Sequence, residues 1–460
     1  MLIKFQAPGP WWSRGVQLLW LLPQAQVETE TENWDLAVLV EEGNQELSLT
    51  VTNGNFREQR VVPARPWEYL QALFLMLSQY NLGPISPWGV LTGVRPGKIA
   101  AGLVDKLGPA KAVEELCEKW LLHLDNARLL VAAVNNGYPL LREKGLCLYI
   151  SVPFCPSRCD YCSFASLPLD RWRGKIDSYV RQAAAELKEL LLACRRYGHL
   201  INSIYVGGGT PTALSPRQLE ELLAPAAGWE CEFTVEAGRP DTLTREHLAV
   251  FKDAGVNRVS VNSQYPEDRT LAAIGRKHTA KQFYEALDMA VSAGLGIVNS
   301  DLIIGLPGQT PEGFAAVISR LAAAGAGNIT IHALALKRGA EIRQQYLDGA
   351  ESRAIAAAAY ARMDELGFQP YYLYRQRNMA SNLENVGFGL PGSYCYYNIA
   401  SIAESEPVLG VGAGAASKLG RADSFISLVN PRDVNQYLAR CEDLLQRKLN
   451  WLQVDKQSRP

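Results

Sequence analysis

The chain has 460 residues, 48% hydrophobic and 20% charged, with 46 basic against 47 acidic side chains and a formal net charge of −1. That composition excludes an intrinsically disordered chain and offers no electrostatic footprint for nucleic acid, so nucleic acid is not expected as a partner. The length allows two or three domains around a large buried core.

Near the start, "VQLLWLLP" is far shorter than the roughly 20 apolar residues that span a bilayer, and no small-residue cleavage site follows it. No membrane span is expected, and a cytoplasmic setting is. Residues 1 to 62 alternate apolar and polar with turn signals between: "DLAVLVEEGNQELSLTVTNGNF" reads as a hairpin around Glu42-Gly43-Asn44 and a second turn at Asn53-Gly54. From Pro66 to Pro139 the period becomes helical, interrupted by the Gly/Pro-punctuated "GVLTGVRPGKIA". Residues 1–140 thus read as an N-terminal α+β domain.

From Leu146 strands and helices alternate. The strand candidates are "LCLYISV", "INSIYVGGG", "ECEFTVEAG", "RVSVNSQY", "GIVNSDLIIGLP" and "NITIHALAL", with helical segments such as "SYVRQAAAELKELLLACRRY" between them. The fold class is α/β: six β/α units argue for a parallel sheet rolled into a full or partial TIM-like barrel, over residues 141–345. An Ala-rich helix (residues 351–366), a Tyr/Arg-rich stretch and a Gly-rich segment follow, so residues 346–460 read as a C-terminal α+β extension.

Polar residues recur at period two within these strands: Thr234 and Glu236; Ser260, Asn262 and Gln264; Asn299 and Asp301; Thr330 and His332. That spacing puts each set on one side of its strand. Helices would cover the outside of a barrel, so the polar sets point inward, near the strand ends where barrel active sites lie.

Six of the nine cysteines are scattered singly and read as small core residues. Cys155, Cys159 and Cys162 instead follow C-x3-C-x2-C just after the first barrel strand. Structural zinc wants four ligands, and no fourth Cys or His lies within a few residues; a disulfide would leave one thiol idle. Three thiolates suit a [4Fe–4S] cluster with one iron left open.

This spacing, with Tyr161 before the last cysteine, resembles the radical S-adenosylmethionine (SAM) superfamily. The resemblance implies a [4Fe–4S] cluster on Cys155, Cys159 and Cys162 whose open iron is chelated by SAM, and cleavage of SAM to a 5′-deoxyadenosyl radical. "YVGGGTP" resembles the superfamily's SAM-binding glycine motif, which assigns Gly207, Gly208, Gly209 and Thr210 to SAM. Tyr149, Glu236, Gln264, Arg276 and Asp301 match further SAM-contacting positions; Arg276 would pair with the methionyl carboxylate and Asp301 would accept from ribose hydroxyls. Within the superfamily, "YVGGGTPT", "NRVSVNSQ" and "DLIIGLPGQT" resemble the oxygen-independent coproporphyrinogen III oxidases and their heme-chaperone relatives. "LTGVRP" and "YYLYRQRNMASNLENVG" look like the HemZ branch. That implies a partial (β/α)6 radical SAM barrel, a porphyrinogen-type substrate whose propionates become vinyls, and an electron donor of flavodoxin or ferredoxin type.

The sequence also departs from those relatives. Phe164 stands where the well-studied oxidases have a fourth cysteine, Ser151 where most relatives have histidine, and His332 and Lys337 where tyrosine and glutamate are usual. The chaperone signature H-N-x-x-Y-W is replaced by Tyr397-Asn398-Ile399-Ala400-Ser401-Ile402. Candidate substrate contacts are His332, Lys337, Arg338, Arg375 and Arg377, the cationic ones able to bind propionates. A porphyrin carrier that keeps the cluster, and a radical SAM enzyme acting on RNA or another substrate, are the competing readings.

Overall fold

The computed structural model describes residues 1–19, 25–53, 56–79, 86–142, 144–162, 166–335, 349–376, 379, 382–420 and 425–457. The chain divides into two compact units, Met1–Asn135 and Asn136–Pro460.

The first unit is built from β1 (Leu2–Gln6), α1 (Gly9–Leu19), β2 (Gln26–Glu28), β3 (Leu36–Glu42), β4 (Glu46–Asn53), β5 (Phe56–Pro63) and helices α2 (Pro66–Gln79), α3 (Gly97–Leu107), α4 (Pro109–Glu118) and α5 (Leu124–Gly137), the last of which runs past its boundary. Both expected hairpins form: the Gly43 amide donates to the Glu46 carbonyl at 2.8 Å, and Asn53 pairs with Phe56. Alternation buries Leu47, Leu49 and Val51 with Ile3, Phe5, Val38 and Val40 under the apolar faces of α1 and α2. The alternating pattern expected throughout residues 1–62 is broken by α1. Its buried residues Trp11, Gly15, Val16, Leu18 and Leu19 recur at helical spacing, not at period two. A parallel pairing of β1 with both β2 and β3 completes the sheet, in the order β2-β1-β3-β4-β5.

The second unit opens with β6 (Leu146–Val152), the two-residue pair β7 (Phe154–Cys155) and β8 (Leu167–Pro168), and α6 (Leu169–Tyr197). It continues β9 (Ile201–Gly208), α7 (Pro216–Leu223), β10 (Glu232–Ala237), α8 (Arg245–Ala254), β11 (Arg258–Val261), α9 (Asp268–Ala273), α10 (Ala280–Ser292), β12 (Ile297–Ile304), α11 (Pro311–Ala323), β13 (Asn328–Ala333) and α12 (Gly349–Glu365). The last elements are β14 (Gln369–Tyr374), β15 (Asn385–Gly389), α13 (Tyr396–Ala403), β16 (Val408–Val411), β17 (Ala416–Leu419), β18 (Ile426–Val429) and α14 (Val434–Gln457). Strands β6, β9, β10, β11, β12 and β13 lie side by side and parallel in sequence order, inside an eleven-stranded sheet.

Among the described residues β6 does not pair with β13, so the six-strand barrel stays open. Instead β16 runs parallel beside β6 and β15 antiparallel beside β13. Local chemistry sets the helix starts. Ser215, Thr244 and Thr279 each form a capping box with the residue three positions on, Gln218, His247 and Gln282. No helix among the described residues is long and apolar enough to cross a membrane.

The glycine segment after β16 is pinned from beneath. Lys448 of α14 and Glu186 of α6 form a fully buried ion pair at 2.5 Å. Glu186 also accepts from the Gly412 amide at 3.0 Å and the Tyr437 hydroxyl at 2.6 Å, while Lys448 donates to the Gly410 carbonyl. Removing one partner of such a pair leaves an uncompensated buried charge. Lys448→Met is therefore expected to lower stability by about 3–5 kcal/mol, read from the urea unfolding midpoint; an unchanged midpoint would show that the pair holds nothing.

Candidate active site

The six parallel strands bring their C-terminal ends to one rim, and the chain's chemistry-bearing residues meet there around a cavity of about 580 Å³. At the end of β6 the chain turns through Pro153 into β7, where Cys155 pairs alongside β8. The intervening loop is turned by a Cys162 amide to Cys159 carbonyl bond at 3.0 Å and tied to the body by Asp160 N–H to Ile274 O at 3.2 Å. Cys155, Cys159 and Cys162 all line the cavity, Cys159 buried and the others half-buried.

Cys155 Sγ lies 3.3 Å from Thr210 Oγ1. Burial pushes the Cys155 thiol up, and the neighbouring Cys162 and Cys159 push the same way. A thiolate at Cys155 therefore calls for positive charge to compensate it. Among the described residues no group of three His, Cys, Asp or Glu could hold a single metal ion. Three cysteines on one cavity, with no fourth Cys or His beside them among its lining residues, fit a cluster with an open iron better than a four-ligand zinc site.

The glycine run closes the same rim. Gly209 N–H donates to Val152 O at 2.7 Å and Thr210 N–H to Phe154 O at 2.8 Å. A Cβ on Gly209 would meet Phe154 O at 2.6 Å, and one on Gly207 would meet the Glu236 carboxylate at 2.9 Å. Gly208, at φ +112°, needs the backbone freedom of glycine. Gly208, Gly209 and Thr210 line the cavity; Gly207 lies behind them against Glu236.

The inward polar faces largely meet there. Glu236, Asn262, Gln264, Asn299, Asp301, Thr330 and His332 line the cavity, while Thr234 and Ser260 are buried beneath it. Asp301 accepts from Asn262 Nδ2 at 2.8 Å and Asn299 Nδ2 at 2.9 Å, and Asn262 Oδ1 accepts from Ser260 Oγ at 2.9 Å. His332 Nε2 is 4.0 Å from Asp301 Oδ2. Gln264 takes φ +73°, an uncommon conformation for a residue with a side chain, held by its amide to Asp301 O at 3.2 Å and its carbonyl to Ile303 N–H at 2.8 Å. Glu236 accepts from Tyr205 Oη at 2.6 Å; burial, with Asp301 adding, raises its pKa to about 7.

Arg276 spends its guanidinium on the protein. It donates to Tyr161 Oη at 2.8 and 3.3 Å, to Gly238 O at 3.0 Å and to Asn262 O at 2.6 Å, bracing the cysteine loop against β11. Arg375 does not join the cavity: it is 5% exposed, beside the buried Glu384 carboxylate, and burial lowers its pKa to about 10. Lys337, Arg338, Arg377 and Phe164 lie outside the described residues. Ser151 faces away, its hydroxyl donating to Ala413 O at 2.8 Å.

Tyr205, Tyr397 and Arg239 escape the sequence reading; Tyr149 and the Tyr/Arg-rich stretch that holds Tyr372 and Tyr374 do not. Tyr149, Tyr205 and Tyr397 stack in a wall, with Tyr205 and Tyr397 centroids 4.5 Å apart, and Tyr372 and Tyr374 stack on another part of the lining. Tyr397 is placed because the Glu232 carboxylate caps α13, accepting from Tyr396 N–H at 2.7 Å and Tyr397 N–H at 2.9 Å. Arg239, just past β10, reaches the cysteine loop. Strand alignment could have found Tyr205, which pairs in register with Tyr149, and Arg239 stands at the end of a barrel strand, where functional residues collect.

The sequence profile of the Radical SAM superfamily matches residues 149–321. The oxygen-independent coproporphyrinogen-III oxidase-like protein HemZ of Bacillus subtilis is 34% identical over 83% of this chain and 80% of its own length. The heme chaperone HemW of Lactococcus lactis is 32% identical over 59% of this chain and 69% of its own. Among solved structures, the coproporphyrinogen III oxidase HemN of Escherichia coli, described as a radical SAM enzyme, superposes with a TM-score of 0.53 over 65% of this chain and 70% of that one, at 22% identity.

Single Cys155→Ala, Cys159→Ala and Cys162→Ala variants are each expected to lose most of the iron and sulfide taken up on anaerobic reconstitution, while Cys231→Ser keeps it; chemical iron and sulfide assays check this. The raised pKa of Glu236 makes the folded state bind a proton that the unfolded chain releases. Its contribution is full below the usual carboxylate range and is lost as pH rises through about 7. Glu236→Gln should therefore flatten the decline of Tm between pH 4.5 and 7, measured against wild type across that window.

Proposed function

The chain belongs to the radical SAM superfamily, in the family of HemN- and HemZ-type proteins, and on that premise we propose that it converts propionate side chains of a coproporphyrinogen III-type substrate to vinyl groups without oxygen. Members of this superfamily work with a [4Fe–4S] cluster and SAM. When bound, the pair supplies a carbon radical able to take hydrogen from an unactivated carbon. Cys155, Cys159 and Cys162 would hold the cluster. Tyr149, Gly208, Gly209, Thr210, Glu236, Gln264, Arg276 and Asp301, which line the same cavity, would face SAM.

The observation that carries the substrate reading is the aromatic lining. Tyr149, Tyr205 and Tyr397 on one side and Tyr372 and Tyr374 on another offer flat, apolar faces ending in hydroxyls, suited to a large ring system with polar edges. About 580 Å³ lies within the range of small-molecule sites. His332, beside Asp301 in the lining, is the described residue placed to meet a substrate carboxylate. Each event removes one hydrogen atom from the propionate β-carbon, releases CO2 and leaves one electron for an acceptor. The role of the tyrosines and His332 is to orient that carbon and exclude water. Lys337, Arg338 and Arg377 remain candidates for the other propionates, and a flavodoxin- or ferredoxin-type protein for the donor.

A second reading, a porphyrin-binding chaperone, is favoured by the relatives named heme chaperones, while the H-N-x-x-Y-W signature, of which only Asn398 is kept, weighs against it. Incubating the reconstituted protein anaerobically with SAM, a strong reductant and coproporphyrinogen III separates the two. Protoporphyrin products with 5′-deoxyadenosine are expected. Tight heme binding with no vinyl product would establish the carrier, and deoxyadenosine without porphyrin product would direct the search to another substrate.

A further inference from the structure

Arg239 is 3% exposed and follows directly on β10 in "EAGRPD". One edge of its guanidinium is forked onto Asp241, Nε at 2.9 Å and Nη2 at 2.8 Å from the two carboxylate oxygens. That bidentate grip fixes the plane of the group and leaves Nη1 directed at the cysteine loop. Nη1 donates to Ser157 Oγ at 3.0 Å and Ser157 O at 3.5 Å, and it lies 3.8 Å from Cys159 Sγ. This contact places a positive group on the Cys159 sulfur. Arg276, the other buried guanidinium behind the loop, is turned to Tyr161 and to backbone carbonyls. His278 also packs here, 3.7 Å from Asp241; its ring nitrogens have no hydrogen-bond partner and burial lowers its pKa to about 4, so it stays neutral.

We propose that Arg239 is a positioning residue that holds Cys159 and Ser157 in the cysteine loop and sets the cluster's reduction potential through the Cys159 sulfur; this rests on the reading of Cys159 as a cluster ligand. Two physical effects act in one direction. An N–H directed at a thiolate sulfur withdraws charge from it, and a cation a few ångströms away favours whichever redox state is more negative. Reduction adds one electron to the cluster, so both effects raise the potential and ease electron delivery. Asp241 opposes this from the far side of the guanidinium while holding it in place. Removing the cation and removing its counter-charge should therefore shift the potential in opposite directions. A merely structural brace would not produce that reversal of sign.

The test is an EPR-monitored redox titration of the reconstituted protein without SAM, preceded by iron and sulfide assays. Arg239→Gln is expected to shift the one-electron equilibrium about tenfold toward the oxidised cluster, 59 mV lower. Asp241→Asn is expected to shift it a few-fold the other way, and Arg239→Lys, which keeps the charge, to lie between Arg239→Gln and wild type. Should Arg239→Gln fail to hold a cluster, Asp241→Asn decides alone: a higher potential supports the proposal and an unmoved or lower one overturns it. Intact clusters whose potentials do not move, or move together in one direction, overturn the role of Arg239 and leave the ligand reading standing. Wild-type protein that takes up no iron and sulfide overturns the ligand reading, and the proposal with it.

Discussion

The backbone of Gly209 and Thr210 lies against that of Val152–Phe154, with two amides donating across at 2.7 and 2.8 Å. The arrangement of the cavity depends on this approach. It is closed to any residue with a Cβ at Gly209, which would sit 2.6 Å from a carbonyl oxygen. Because the two segments are the ends of neighbouring parallel strands, the contact locks the glycine run to the start of the cysteine loop. It also brings Thr210 to Cys155. A substitution at Gly209 would separate the sulfur-bearing loop from the glycine edge while leaving the strands themselves paired.

Around that contact the protein holds many buried or half-buried polar groups. The Ser260, Asn262, Asn299 and Asp301 side chains satisfy one another at 2.7–2.9 Å, which offsets the cost of burying them. Such a network has one low-energy arrangement, so it orients Asp301 before any ligand arrives. Gln264 departs from this economy of strain. A non-glycine residue at positive φ costs about 1–3 kcal/mol, and the ladder bonds to Asp301 O and Ile303 N–H hold it there and turn its side chain into the cavity.

The electrostatics divide the same way. Arg239 and Arg276, at the cysteine-loop side of the cavity, are hydrogen-bonded to protein partners, and burial raises the pKa of Glu236 in the same cavity to about 7. The loop is thus braced by cations that also border the cavity, beside tyrosines, amides, carboxyls and His332.

The local chemistry was legible in the chain itself. C-x3-C-x2-C after a strand, three successive glycines at a strand end and period-two polar residues are short-range patterns, and backbone geometry translates them directly into a loop, a close approach and a lined face. The alternation of strands and helices likewise determined a parallel sheet in sequence order. Only the tertiary structure decided how that sheet ends, with β16 rather than β13 beside β6, because that choice sets one long-range pairing against another and no local signal distinguishes them. It also decided that Tyr205 and Tyr397, 192 positions apart, share a wall, that Arg375 is buried in the electrostatic reach of Glu384, and that Arg239 reaches Cys159. Each depends on a side chain meeting a partner distant in the chain, a relation that exists only once packing has brought the two together.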